Sequence, residues 1–261
     1  MRNVIFFDID GTLITEDDRM IIPESTRKAI SLTRKKGNLT FINTGRTEFN
    51  VSQEIRNLGF DGFLCGCGTF IEYQGETILY HTQKQDFCRN IANMLRKCGV
   101  TPVYERREGY FFDDKAVKNP EIEHFKKTFA NNFRTDRQPE DEDFGFDKFV
   151  IWQNPQSDME TFRKETGKYF EIIDRGGGFY ENVPLGFSKA TAIKIILEKL
   201  NIPPENAFAI GDSRNDLPML EAVPNSIAMG GAETIYPYVS YITTSIEQDG
   251  IYNALEHFNL I

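Results

Sequence analysis

The sequence predicts an α/β protein: a doubly wound parallel sheet interrupted by a second, α+β unit. Two observations carry that prediction. At both ends of the chain, short apolar runs alternate with helical patterns, the rhythm of a parallel sheet. Across about residues 84–183 the order changes to paired strands mixed with helices, which calls for a packing unit of its own. At a prior of roughly 150 residues per domain, 261 residues allow one large domain or two modest ones. Such a chain buries a sizeable core without disulfide or metal staples.

The elements follow in order. Val4 to Phe7 is a continuous apolar run ending at Asp8, as in a strand buried on both faces. Pro23 to Gly37 reads as a helix, with Ile22, Thr26, Ala29 and Ile30 on one side and Gly37 beyond its end. Leu39 to Asn43 is the next strand, Glu48 to Leu58 the next helix and Phe63 to Cys65 a third strand. The middle reads helix, strand, strand, helix, strand, helix, strand, strand. Phe87, Ile91, Leu95 and Cys98 form the first helical stripe there. Pro120 behind Asn119 opens a helix with Ile122, Phe125 and Phe129 inward, and Gly176-Gly177-Gly178 is the turn of a final hairpin. The first rhythm then resumes. Ser188 caps a helix running to Leu200, Ala207 to Ile210 is a strand, and Leu217 to Ala222 is a short helix. Ser226 to Met229 and Tyr241 to Thr243 complete the sheet.

Composition narrows the function. Thirty Lys+Arg against 39 Asp+Glu leave a net charge of −9, which argues against nucleic acid and anionic membrane as partners. No apolar run approaches the ~18 residues of a membrane helix. The first run is stopped at Asp8, too early for a secretory leader, so a cytoplasmic location is expected. Cys65, Cys67, Cys88 and Cys98 show no zinc-ligand spacing with one another or with His81, His124 and His257, and read as free thiols.

Four polar motifs stand directly after strands or at a helix start. Asp8-Ile9-Asp10-Gly11-Thr12 puts two acids at the carboxyl end of the first strand, where open α/β sheets bind ligands. Asn43-Thr44-Gly45-Arg46 offers a hydroxyl and backbone N–H groups, an anion-binding combination. Lys189 opens a helix against the preference of the helix dipole, which hints at a bound anion. Gly211-Asp212-Ser213-Arg214-Asn215-Asp216 follows another apolar strand. Converging strand ends would gather Asp8, Asp10, Asp212 and Asp216 into a set of hard oxygen ligands, which suits Mg²⁺.

With Asp8 to Thr12, Thr44 to Arg46, Lys189 and Gly211 to Asp216 in this order, the sequence resembles the haloacid dehalogenase superfamily. Within it, the chain is most similar to Cof-type phosphatases that carry a type IIB α/β cap. The resemblance covers essentially the whole chain, and Glu181 to Lys189 resembles the family's return from cap to core. One departure is Cys65-Gly66-Cys67-Gly68, where relatives often carry Asn-Gly.

The resemblance implies a Rossmann-like core at 1–83 and 184–261, and a cap at 84–183 that closes over it and selects the substrate. It implies hydrolysis of a small phosphorylated metabolite, most plausibly a sugar phosphate, through an aspartyl-phosphate on Asp8. Asp10 is then the general acid and later the base, kept protonated by the like charge of Asp8 and by desolvation. Ile9, Thr44, Gly45, Lys189 and Asn215 hold the phosphoryl group. Mg²⁺ is held by Asp8, the Asp10 carbonyl and Asp212, with Asp216 in support. Arg46 and Glu181 are possible substrate contacts; Tyr180 and the Arg106–Arg107 pair are weaker ones. The alternatives are a phosphomutase or phosphotransferase of the same superfamily, and a non-catalytic phosphometabolite sensor. A sensor could lose Asp10 without penalty, so its presence favours hydrolysis.

Overall fold

Four successive apolar residues can be buried on both sides only inside a sheet, and β1 (Val4–Phe7) is buried throughout. The structure, a computed structural model, describes residues 2–17, 19–129 and 137–261, and all that follows concerns these described residues. α1 (Glu24–Lys35) follows, with an acid in its first turn and Arg34 and Lys35 in its last, both favourable to the helix dipole. It leads to β2 (Leu39–Asn43), parallel to β1 with Val4 opposite Leu39.

The single helix expected over 48–58 is instead a 3-10 turn at Glu48–Asn50 and the short α2 (Gln53–Arg56). Ser52 divides them: its backbone is extended and its hydroxyl accepts from the Ile55 N–H, so the helix must start afresh. β3 (Gly62–Cys65) pairs parallel with β2. β4 (Phe70–Tyr73) runs antiparallel to β3, and β5 (Glu76–Tyr80) adds another strand. The sequence reading does not announce this hairpin. Its turn is Gln74-Gly75, both in the left-handed region at φ 51° and 79°, as a tight two-residue hairpin requires.

The middle of the chain supplies α3 (Gln85–Lys97), β6 (Thr101–Arg106), β7 (Gly109–Phe112), α4 (Pro120–Phe129), β8 (Lys148–Trp152), α5 (Met159–Thr166), β9 (Phe170–Asp174) and β10 (Phe179–Pro184). The strands form an antiparallel sheet in the order β7-β6-β8-β10-β9. Ile122 of α4 packs in its core with Phe125 against it; the Phe129 side chain lies outside the described ones. Tyr104, Phe144, Phe146, Phe149 and Phe170 stack into a second, aromatic core, where each fully buried ring contributes about 1.5–3 kcal/mol.

α6 (Lys189–Leu200), β11 (Ala207–Gly211), α7 (Leu217–Glu221), β12 (Asn225–Ala228), β13 (Tyr241–Ile242) and α8 (Gly250–His257) return to the first sheet. Its order is β13-β12-β11-β1-β2-β3-β4-β5. One face is covered by a core that includes residues of α1 and α8, the other by one that includes residues of α6 and α7. This is the doubly wound arrangement. β1 has β2 on one side and β11 on the other, so connections leave their carboxyl ends in opposite directions and open a crevice there.

The chain falls into two compact units: residues up to Arg46 with Val51–Leu79 and Phe187–Ile261, and Thr47–Asn50 with Tyr80–Gly186. The second is slightly wider than the expected 84–183 and takes in a short piece of the segment after β2.

Candidate active site

The carboxyl end of β1 delivers Asp8, which is 3% exposed. The chain then turns sharply: the Ile9 carbonyl accepts from the N–H groups of Leu13 and Ile14 at 2.8 and 3.0 Å. Gly11 makes that turn possible at φ 75°, where a Cβ would collide with the Asp212 carboxylate. Thr12, buried in the turn, donates its hydroxyl to Asp212 Oδ1 at 2.8 Å. Thr12 thus orients a carboxylate from β11's end, a role the sequence reading does not assign it.

Asp216 sits in a 3-10 turn at Arg214–Asp216 and is fully buried. Its Oδ2 accepts from the Asp212 and Ser213 N–H groups at 2.9 and 3.1 Å. Its Oδ1 faces Lys189, whose Nζ lies 2.5 Å from it and 2.6 Å from Asp8 Oδ1. Lys189 is the first residue of α6, fixed by a capping box in which Ser188 and Thr191 bond each other's backbone N–H. One buried ammonium therefore bridges two buried carboxylates.

Oxygens of Asp8, Asp212 and Asp216 all lie within 4.8 Å of one another. Burial, then the charge of Asp216, pushes the Asp8 carboxyl well above its usual range, against the pull of Lys189. Burial and the charges of Asp216 and Asp8 raise Asp212 to about 8. Burial opposes the charge on Lys189, but Asp216 and Asp8 outweigh it and hold the ammonium protonated. Three acids against one lysine leave surplus negative charge in a pocket of hard oxygen donors. That donor set fits a divalent cation, and Asp8 and Asp212 have oxygens to offer it.

The other predicted residues divide. Thr44 is buried at the end of β2, and its hydroxyl accepts from the Arg46 N–H at 3.1 Å; Gly45 is half-buried between them. Asn215 is half-buried, its side chain accepting from the Ser213 hydroxyl. The Ile9 side chain packs into the core, so any part it takes in binding falls to its main chain.

Asp10 differs from expectation. It stands outside the Asp8–Asp212–Asp216 group, its side chain is 48% exposed, and Arg46 grips both its oxygens, at 2.9 Å from Nε and 2.5 Å from Nη2. Its half-exposed side chain and its pair with Arg46 differ from the desolvated setting expected for it.

Glu181 lies in the second unit, 3% exposed on β10. There Lys148 Nζ is 2.8 Å from both Glu181 and Glu105, and Arg175 also pairs with Glu181. Burial would raise Glu181, but Lys148 and Arg175 outweigh it and bring the group to about 2; burial wins at Glu105, which moves up. This carboxylate is engaged in holding the sheet together. Tyr180 is buried with the Arg163 guanidinium 5.0 Å from its ring, and Arg106 and Arg107 pair with Glu108 and Glu48.

A lowered carboxyl stabilises the fold above its ordinary 4.5 and loses that contribution as pH falls toward 2. Lys148→Met is expected to cost about 3–5 kcal/mol at pH 7, because buried Glu105 loses this cation and Glu181 keeps only Arg175. Urea unfolding measures this, and an unchanged midpoint would show the network to be dispensable.

The comparisons with known proteins agree with this geometry. The sequence matches the family described as haloacid dehalogenase-like hydrolase over residues 5–255. It is 28% identical to YkrA of Bacillus subtilis (strain 168), over 99% of this chain and 98% of that protein. It is 29% identical to the 5-amino-6-(5-phospho-D-ribitylamino)uracil phosphatase YcsE of the same organism, over 98% of this chain and 96% of that one. The solved structure of the HAD subclass IIB sugar phosphatase BT4131 superposes with a TM-score of 0.80 at 26% identity, over 99% of this chain and all of that one. No helix among the described residues is long and apolar enough to cross a membrane. Family match, relatives and buried acid–lysine cluster lead to one conclusion: the chain belongs to the haloacid dehalogenase-like hydrolases and is a phosphatase of that family.

Proposed function

We propose that this phosphatase is Mg²⁺-dependent, takes small phosphorylated metabolites with sugar phosphates the leading class, and carries the phosphoryl group transiently on Asp8. The observation that supports this best is the Asp8–Lys189–Asp216 bridge with Asp212 beside it, at adjoining ends of β1 and β11.

A carboxylate approaching a phosphate dianion is repelled, by about 4 kcal/mol per pair of unit charges at 4 Å and an effective dielectric near 20. Lys189 answers part of that, and its hydrogen bond to Oδ1 fixes how the Asp8 carboxylate is turned. Bound Mg²⁺ would supply the remaining positive charge, with Asp8, the Asp10 carbonyl and Asp212 as its holders and Asp216 positioning Asp212 and Lys189. Asp8 attacks phosphorus, the ester bond breaks, and the phosphoryl group rests on Asp8 until water releases it. Thr44, the main chain of Ile9 and Gly45, Lys189 and Asn215 hold the phosphoryl oxygens while charge spreads over them. Asp10 gives a proton to the leaving oxygen and later takes one from water. Arg46 grips both its oxygens here, so this pair opens before Asp10 exchanges a proton. Choice among leaving groups falls to residues of the second unit.

The test is phosphate release from a panel of sugar, nucleotide and cofactor phosphates. Release is expected with Mg²⁺, to stop in excess chelator and to return on adding Mg²⁺ back. Turnover that persists in chelator would reject the metal role. Stoichiometric phosphate retained on Asp8 after acid quench, without release, would point to transfer instead.

A further inference from the structure

The turn between β3 and β4 is strained and has no part in the mechanism above. Gly66, Cys67 and Gly68 all lie in the left-handed region, at φ 59°, 53° and 90°. Cys67 carries a side chain there, a conformation that persists only where the surroundings over-determine it. Those surroundings are two elements of the site. The Gly66 N–H donates to the Arg46 carbonyl at 2.7 Å and the Cys67 N–H to the Thr44 carbonyl at 3.1 Å. Gly68 lies against the start of α6: a Cβ there would come within 2.7 Å of the Ser188 carbonyl oxygen and 3.2 Å of the Ala192 methyl. Thr69 closes the turn, its hydroxyl donating to the Gly66 carbonyl at 3.0 Å.

A second tie runs alongside. Asn43, fully buried at the end of β2, donates its side-chain amide to the Lys189 carbonyl at 2.9 Å. Its Oδ1 has no hydrogen-bond partner among the described residues, so that donation is what orients the amide. A buried amide that spends its donor on the first carbonyl of a helix holds that helix end in place.

We infer that Gly68 and Asn43 are positioning residues for the phosphate end of the reaction: together they set the Thr44 hydroxyl and the Lys189 ammonium at a fixed separation. The inference rests on the proposed reading that these two groups hold the phosphoryl oxygens. A three-residue turn grips the main chain of one and the helix start of the other, and Asn43 joins the same two elements directly. Displacement by about 1 Å is enough to cost a phosphoryl-transfer site around 100-fold in rate.

The experiment compares Gly68→Ala and Asn43→Leu with Gly75→Ala, using p-nitrophenyl phosphate with Mg²⁺. Gly75 also has a left-handed φ, 79°, but nothing lies within 4 Å of where its Cβ would be. It therefore reports the backbone strain alone. Gly68→Ala and Asn43→Leu are expected to lower kcat about 100-fold and to raise the inhibition constant of inorganic phosphate at least tenfold. Gly75→Ala should keep both within twofold while its Tm falls. If Gly68→Ala does not fold, Asn43→Leu decides, since it removes the donor at nearly constant volume. Wild-type kcat and phosphate inhibition in Asn43→Leu, whatever its Tm, would overturn the inference. Lys189→Met separates the two levels: wild-type turnover in that variant refutes the phosphate-binding reading and this inference with it. Loss there, beside unaffected Gly68 and Asn43 variants, refutes only the inference.

Discussion

Asp8→Asn is expected to lower phosphate release about 10⁴-fold or more while leaving the fold intact. The amide matches the carboxylate in shape and keeps an oxygen to accept from Lys189, which now lies 2.6 Å from Oδ1. It has no anionic oxygen to attack phosphorus. Stability should not suffer, because Lys189 retains Asp216 at 2.5 Å and one charge leaves a crowded, buried group. Thermal unfolding and phosphate release on the same preparation check both halves. Near wild-type release from a folded Asp8→Asn protein would remove Asp8 as the nucleophile.

Lys189→Met combines two losses. Turnover is expected to fall about 10²–10³-fold, the usual cost of removing a group that meets developing charge. Stability should fall by about 3–5 kcal/mol as well, because Asp8 and Asp216 stay buried with no cation between them. The sign with pH separates this from simple loss of packing. In the wild type, the ammonium is held above its ordinary 10.5, so its contribution is complete throughout the neutral and acid range. In the variant Asp8, already raised by burial and by Asp216, loses the pull of Lys189, so stability is highest in acid and drops as pH rises through its raised value. The gap between wild type and variant should therefore widen from pH 5 to pH 8 in metal-free urea titrations. A gap independent of pH would mean that Lys189 contributes packing and not charge.

Much of this site is legible in the sequence because each part has a local signal. An apolar run stopped by an acid marks the ends of β1 and β11, and an apolar run stopped by Asn43-Thr44 marks the end of β2. Ser188 announces α6 and places Lys189 in its first turn. The missing parts depend on partners distant in sequence. Thr12 reads as one more turn residue until Asp212, 200 positions later, is brought beside it. Asn43 meets Lys189 across 146 positions, and nothing local tells a buried amide that braces from one that merely packs. Asp10 reads as one of the clustered acids until Arg46, 36 residues on, takes both its oxygens. Glu105, Lys148 and Glu181 defeat the rule that charges on strands face water, since each is satisfied by the next strand. The β4–β5 hairpin is a different case: the Gln74-Gly75 turn signal is local and simply weaker than the runs around it.

The pairing of β1 with β11 also governs the order in which the molecule can be made. β1 leaves the ribosome well before one of its two neighbours, which is encoded about two hundred residues later. At 5–20 residues per second, that separation amounts to roughly 10–40 s of synthesis. Throughout that interval Val-Ile-Phe-Phe has β2 on one side and an unpaired apolar edge on the other, the kind of template that invites association with other chains. The nascent protein therefore carries an unpaired apolar edge until β11 is made, and growth temperature and chaperone supply are expected to govern soluble yield more than the stability of the finished fold does.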